Sequence, residues 1–142
     1  MKSKLNLSDD GKILTITYSG YITIEDLVES HKARLDHNNG ETIRKIRVMI
    51  VDYCDVKGTD LSAEDLKRDL EVVTKMAAVN PYITVISISP NPLEYGLGRM
   101  WQAYAEYESK LSWKSHVVRT FKEAEAITKA VLPLDNNLDI TE

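Results

Sequence analysis

One cysteine, Cys54, in 142 residues leaves no internal disulfide to form and no partner at structural-zinc spacing, as expected of a chain that works in a reducing compartment. No run reaches the roughly 18 apolar residues a membrane helix needs. The first residues, Met1-Lys2-Ser3-Lys4-Leu5-Asn6, place no signal-peptide hydrophobic stretch behind their charges. These absences set the expectation of a cytoplasmic protein with no membrane span. Histidine is scarce too: His31, His37 and His116 stand in separate segments without H-x-x-x-H spacing, so no metal site and no cofactor are expected. There is no basic stripe either. Eighteen Lys and Arg are dispersed among 22 Asp and Glu for a formal charge of −4, which argues against nucleic acid as a partner.

What is present is the composition of one globular domain, 43% hydrophobic and 28% charged, at a length suited to a single core. Leu5 and Leu7, then Leu14, Ile16 and Tyr18, recur at the two-residue period of half-buried strands, and Ser8-Asp9-Asp10-Gly11 between them has turn chemistry. That reads as an antiparallel hairpin, its second strand broken at Gly20. Thr23 and Asp26 form a capping box ahead of a helical stripe of Ile24, Leu27, Val28, His31 and Leu35, which Asn38-Asn39-Gly40 ends. Ile46 to Tyr53, continuously apolar from Val48 to Val51, has the character of a central strand covered on both faces. A second box, Ser62 with Asp65, opens a helix on Leu66, Leu70, Val73 and Ala77 that stops near Asn80-Pro81.

Tyr82 to Ile88 forms the next strand. Asn91-Pro92-Leu93-Glu94 then starts a third helix, with an N-cap, proline in the first helical position and glutamate in the third. Its stripe is read as Leu93, Leu97, Met100, Tyr104 and Tyr107 or Glu108. His116 to Arg119 is a short last strand, and Thr120 with Glu123 caps a closing helix on Ala124, Ile127 and Val131 that ends before Pro133. The fold class is therefore α/β, one mostly parallel sheet with an N-terminal antiparallel hairpin, wound as a βα superhelix with right-handed crossovers. Residues 1–133 form the domain, and 134–142 an acidic tail expected to be flexible.

This order of elements over residues 5–132 resembles the SpoIIAA-like fold, which includes STAS domains and related STAS/SEC14-like bacterial proteins. The local resemblance is carried by Val48-Met49-Ile50-Val51-Asp52-Tyr53-Cys54-Asp55-Val56 and Asp60-Leu61-Ser62-Ala63. The latter is similar to the Asp-Ser-Ser-Gly helix start of STAS domains, with Leu61 in place of the first serine and Ala63 in place of the glycine. In the anti-sigma-factor antagonists the second serine is phosphorylated, and the resemblance implies Ser62 as that position. Tyr95-Gly96-Leu97-Gly98-Arg99-Met100, with Phe121, Glu123 and Ala124, resembles uncharacterised bacterial members, for which it implies a fold and no activity.

No catalytic residue is assigned. Cys54 lacks a neighbouring cation to activate it and reads as a small hydrophobe, with Asp52 and Asp55 capping turns. Ser62 reads first as a helix cap. His31 reads as a satisfied core imidazole, and Met49, Met76 and Met100 as core filler. The unusual feature is aromatic crowding: Tyr95, Trp101, Tyr104, Tyr107 and Trp113 in or just after the third helix, too many for one face to bury. Two functions follow. One is a non-enzymatic regulatory module that binds a protein partner, or itself as a homodimer, through Tyr95, Gly96, Gly98, Arg99, Trp101 and Tyr104. The other is a binder of, or enzyme on, a small amphipathic ligand, in a pocket between the third helix and the strand ends at Asp52–Asp55 and Ser87–Pro90. There Gly96 and Gly98 admit the ligand and Arg99 holds its anionic group.

Overall fold

The structure, a computed structural model, describes residues 2–108 and 111–141, without the side chains of residue 108 and of residues 133–141. Among these, five strands form one sheet in chain order: β1 (Ser3–Leu7), β2 (Ile13–Ile22), β3 (Val48–Thr59), β4 (Thr84–Ile88) and β5 (Lys114–Val118). β1 and β2 are antiparallel, with Leu5 opposite Ile16 and Leu7 opposite Leu14, and every later pair is parallel. Gly11, at a φ of +73°, turns the hairpin. Gly20 does not break β2. It takes a φ of +78° within the strand, where the β2–β3 register shifts, so the chain absorbs the glycine as an irregularity and continues to Ile22.

The helices are α1 (Ile24–Asp36), α2 (Glu41–Lys45), α3 (Ala63–Val79), α4 (Pro92–Glu108) and α5 (Phe121–Thr141). Asn38 and Asn39, both in the left-handed region, and Gly40 at +83° end a short 3-10 turn after α1. They open α2, a single turn the sequence pattern does not disclose. α5 passes through Pro133, the residue read as its stop, because a proline removes one backbone bond while its fixed φ remains helical. The side chains of the expected tail lie outside the described ones.

Successive parallel strands joined by crossovers of one hand step in one direction, which places their connecting helices on one face of the sheet. α1 packs on α3 and α3 on α4 over that face, around Leu14, Ile16, Tyr18, Met49, Val51 and Val85. α5, which follows the last strand, covers the opposite face through Ala124 and Ile127 against Val48, Ile86, Ile88 and Val118. β3 is the middle strand, as its apolar run requires.

Asn80 does more than end α3. Its buried amide donates to the carbonyls of Ile43 and Ile46, both at 2.9 Å, and its Oδ1 accepts from Tyr82 N at 3.0 Å. Its own carbonyl accepts from Trp113 Nε1 at 2.7 Å. One residue thus ties α2, the turn before β4 and the segment before β5 together.

Candidate functional site

Two capping boxes form as their spacing implies, and a third forms with its carboxylate on the cap hydroxyl and the preceding amide. Thr23 Oγ1 accepts from Asp26 N while Asp26 Oδ2 accepts from Thr23 N at 2.8 Å. Ser62 and Asp65 make the same exchange, at 3.1 and 3.0 Å. Thr120 Oγ1 accepts from Glu123 N at 3.2 Å and donates to the Glu123 carboxylate at 3.1 Å. The fourth departs. Asn91 Oδ1 accepts from Leu93 N at 2.8 Å, but Glu94 does not reach back to its cap. It is turned inward, only 7% exposed, and neither carboxylate oxygen has a hydrogen-bond partner.

The inward face of α4 differs from the predicted stripe for the same reason. Glu94 and Ala105 are buried and Leu97, Gly98, Trp101 and Tyr104 half-buried, whereas Leu93 is 56%, Met100 41% and Tyr107 88% exposed. Met100 is therefore not core filler, unlike the fully buried Met49 and Met76. The helix is rotated by about one residue from the reading that places its largest hydrophobes inside. Gly98 permits this, because a β-carbon there stands 3.0 Å from Val117 Cγ1 of β5. The Glu108 side chain lies outside the described ones.

Glu94, Leu97, Gly98 and Trp101 border a cavity of about 90 Å³ between the α1, α3 and α4 layer and the sheet. Its apolar lining includes Leu27, Val51, Leu66, Val73 and Val85, and its polar lining His31, Arg34, Asp69 and Ser87. His31 of α1 and Asp69 of α3 pair at 2.5 Å between Nε2 and Oδ1, both buried. Arg34, 3% exposed, donates to Tyr18 Oη at 2.7 Å, to Ser30 Oγ at 3.3 Å and to the Met49 sulfur at 3.2 Å. The Tyr18 ring stacks on Tyr53 with centroids 5.4 Å apart.

Burial, reinforced by the Arg34 cation, holds the His31 imidazole below its ordinary value, and the Asp69 carboxylate opposes this without reversing it. Burial likewise raises the Tyr18 and Tyr53 hydroxyls. The imidazole is therefore neutral, and the carboxylate at Nε2 holds its proton there, which leaves Nδ1 an acceptor. Nδ1 has no partner, nor does the Trp101 indole N–H.

Arg34 and Asp69 are not among the residues proposed from sequence, although each carries a readable signal. Arg34 follows His31 by three residues and Leu27 by seven, and Asp69 sits three after Leu66 and four before Val73, so each is a charge within a buried stripe. Of the residues proposed from sequence, the cavity takes in Gly98 and Trp101 of the third helix and Tyr53 and Ser87 of the strand ends, and leaves Ser62, Tyr95, Gly96, Arg99 and Tyr104 outside. Tyr95 lies under Arg119, 4.5 Å from its ring centroid, and Tyr104 under Lys67, at 5.2 Å. Gly96 faces open space. Arg99 is exposed and donates to Gln102 Oε1 at 3.0 Å, so it holds no group in the cavity. Ser62 is exposed, with Oγ in its cap.

Asp52, Cys54 and Asp55 also lie elsewhere. β3 continues to Thr59 rather than ending at Tyr53, and the two-residue alternation that turns Val51 and Tyr53 toward the cavity turns Asp52 away from it. Asp52 Oδ1 accepts from Cys54 N at 2.8 Å. Partial burial, with the Asp52 and Asp55 carboxylates, pushes the Cys54 thiol up to about 11, the reverse of what a nucleophile needs. Among the described residues no group of three His, Cys, Asp or Glu is placed to hold a metal, and no helix is long and apolar enough to cross a membrane.

A sheet of five strands in chain order with an antiparallel first pair, three crossover helices on one face and a closing helix on the other is the SpoIIAA-like, or STAS-like, fold. Solved structures that share it include an anti-sigma factor antagonist and an uncharacterized protein. The anti-sigma factor antagonist SpoIIAA in its unphosphorylated form is 14% identical, with a TM-score of 0.54 over 89% of this chain and 97% of that one. An uncharacterized protein of the DUF3478 family with a SpoIIAA-like fold, from Shewanella loihica PV-4, is 16% identical, with a TM-score of 0.51 over 87% and 89%. No protein-family model and no curated protein matches the sequence.

Proposed function

We propose that this chain is a non-enzymatic binding module whose helix-covered sheet face takes up a small amphipathic molecule. The observation that carries this reading is the cavity itself. A mostly apolar space is lined by Glu94, Trp101 and His31, each of which has a buried polar atom with no partner within the protein. Buried polar groups are almost always satisfied, and a shared set of exceptions around one cavity is the arrangement a ligand completes. The proposed position overlaps the pocket read in the sequence at Tyr53, Ser87, Gly98 and Trp101, and differs from it in that Asp52, Cys54, Asp55 and Arg99 take no part.

The test is a screen of small amphipathic fragments followed by amide chemical shifts. Binders are expected to shift Leu27, Val73, Leu97 and Trp101, and Val73→Phe, which fills the space, should abolish those shifts. Shifts confined to the outer side of α4, at Tyr95, Arg99 and Tyr107, would refute the cavity as the site.

One observation favours a second reading, regulatory interaction with a protein partner or self-association. Leu93, Met100 and Tyr107 recur every seven residues on the outside of α4 and are all exposed, an apolar seam of the spacing by which helices pair. The likeness to SpoIIAA supports it too, since that protein is an anti-sigma factor antagonist, and Ser62 at the start of α3 is then the place for a phosphate. Light scattering that gives a monomer in both the wild type and Met100→Glu would remove self-association from this reading.

A further inference from the structure

The polar atoms around the cavity differ in kind, and the difference selects a ligand. Two carboxylates, Asp69 and Glu94, border it against one guanidinium, Arg34. Asp69 is engaged with His31, and Arg34 with Tyr18, Ser30 and Met49. Glu94 alone among the three has no partner, and it forgoes a backbone amide of the kind its counterparts find, Asp26 and Asp65 at their cap residues and Glu123 at Arg119 just before its cap. The acceptors left open are both Glu94 oxygens and His31 Nδ1, against a single open donor, Trp101 Nε1. A head group that matches is rich in donors, carries no acceptor and bears positive charge. An ammonium has three N–H donors and no acceptor, whereas a carboxylate or phosphate sets like charge against Glu94.

The space sets the size. At about 90 Å³ the cavity is smaller than the roughly 150 Å³ apolar cavity known to take benzene, which by proportion limits an occupant to about four heavy atoms. We propose that the cavity binds a short primary alkylammonium ion, its ammonium on the Glu94 carboxylate and its chain among Leu27, Val51, Leu66, Val73 and Leu97. This rests on the cavity being the binding site, and it reverses the charge of the ligand expected with Arg99 as the anchor.

The experiment is calorimetric titration of the full chain at neutral pH and moderate salt with propylammonium, propan-1-ol and propionate, which share a chain and differ in head group. Propylammonium is expected to bind at least tenfold tighter than propan-1-ol, and propionate not at all. Glu94→Gln keeps the shape and removes the charge. It should lose at least tenfold in propylammonium affinity and so close the gap between the amine and the alcohol. Equal affinity for the alcohol and the amine in the wild type overturns the ammonium assignment while the cavity stands as an apolar site. Preference for propionate overturns it as well, and no binding by any of the three overturns both readings. The wild-type series decides the matter even where Glu94→Gln does not fold.

Discussion

The two faces of the sheet are built on different terms. Under α5 the core is aliphatic, with Val48, Ile86, Ile88, Val118 and Ala124 closing on one another, and the one buried ionisable side chain on that face among the described residues, Asp52, accepts from Cys54 N. Under α1, α3 and α4 a comparable aliphatic core is interrupted by buried His31, Arg34, Asp69 and Glu94 and by a cavity. Burial of ionisable groups costs free energy unless they are paired, and a fold that needs only stability has an aliphatic alternative in its own second face. On the proposed reading, the contrast separates the parts that hold the domain together from the part that binds.

The largest expected effect is on the dry face. Ile86 is fully buried in the sheet beneath α5, and Ile86→Ala removes three carbons where close packing leaves little room to collapse. It should cost about 2–5 kcal/mol in urea unfolding. On the other face the sign inverts. Glu94→Leu removes a buried carboxylate without a partner and closes part of the cavity. Against it stands the interaction of an acidic first-turn residue with the helix amino end, about 0.3–1 kcal/mol. Desolvation is the larger quantity, so Glu94→Leu should stabilise the protein, by about 1–2 kcal/mol in the same measurement. A destabilisation as large as that of Ile86→Ala would mean that the two faces are built alike, and that Glu94 is a structural residue.

The same contrast marks where the sequence is legible. Strand alternation and three of the four helix boxes follow from chemistry within a few residues, so the hairpin, the central β3 run and the helix starts at Thr23, Ser62 and Thr120 can be read directly. His31 can be read as a core imidazole from the stripe it sits in. The orientation of α4 cannot. The stripe rule turns the most apolar face inward, yet Leu93, Met100 and Tyr107 face solvent, because what seats the helix is the closeness of Gly98 to Val117 and the bond from Gln102 Nε2 to Ser115 O. Both are tertiary. Arg34 and Asp69 are hidden for a related reason: a charge in a stripe reads as an interruption until its partner on another element is known. The cavity, a space rather than a residue, leaves no pattern at all, and Trp101 and Gly98 stand out in the sequence for reasons other than the ones that place them beside it.

Acidification should expose the difference between the faces with a smaller effect. His31 has an ordinary value of 6.5, and in the fold it is held below this by burial and by Arg34 across the same interior, against Asp69. As pH falls through 6.5 the unfolded chain therefore takes up a proton that the folded chain refuses. Stability is lost over the interval from 6.5 down to the folded value, and is present in full above it. Urea midpoints measured from pH 7.5 to pH 5 should decline for the wild type, and the decline should shrink in His31→Asn, which cannot titrate. Ile86→Ala, on the face away from this network, should lower every midpoint and leave the decline in place. A wild-type midpoint that rises over the same interval would mean that Asp69 outweighs burial and the imidazole is charged. His31 would then offer a donor at Nδ1 where the cavity is argued to offer an acceptor, and the preference for an ammonium would rest on Glu94 alone.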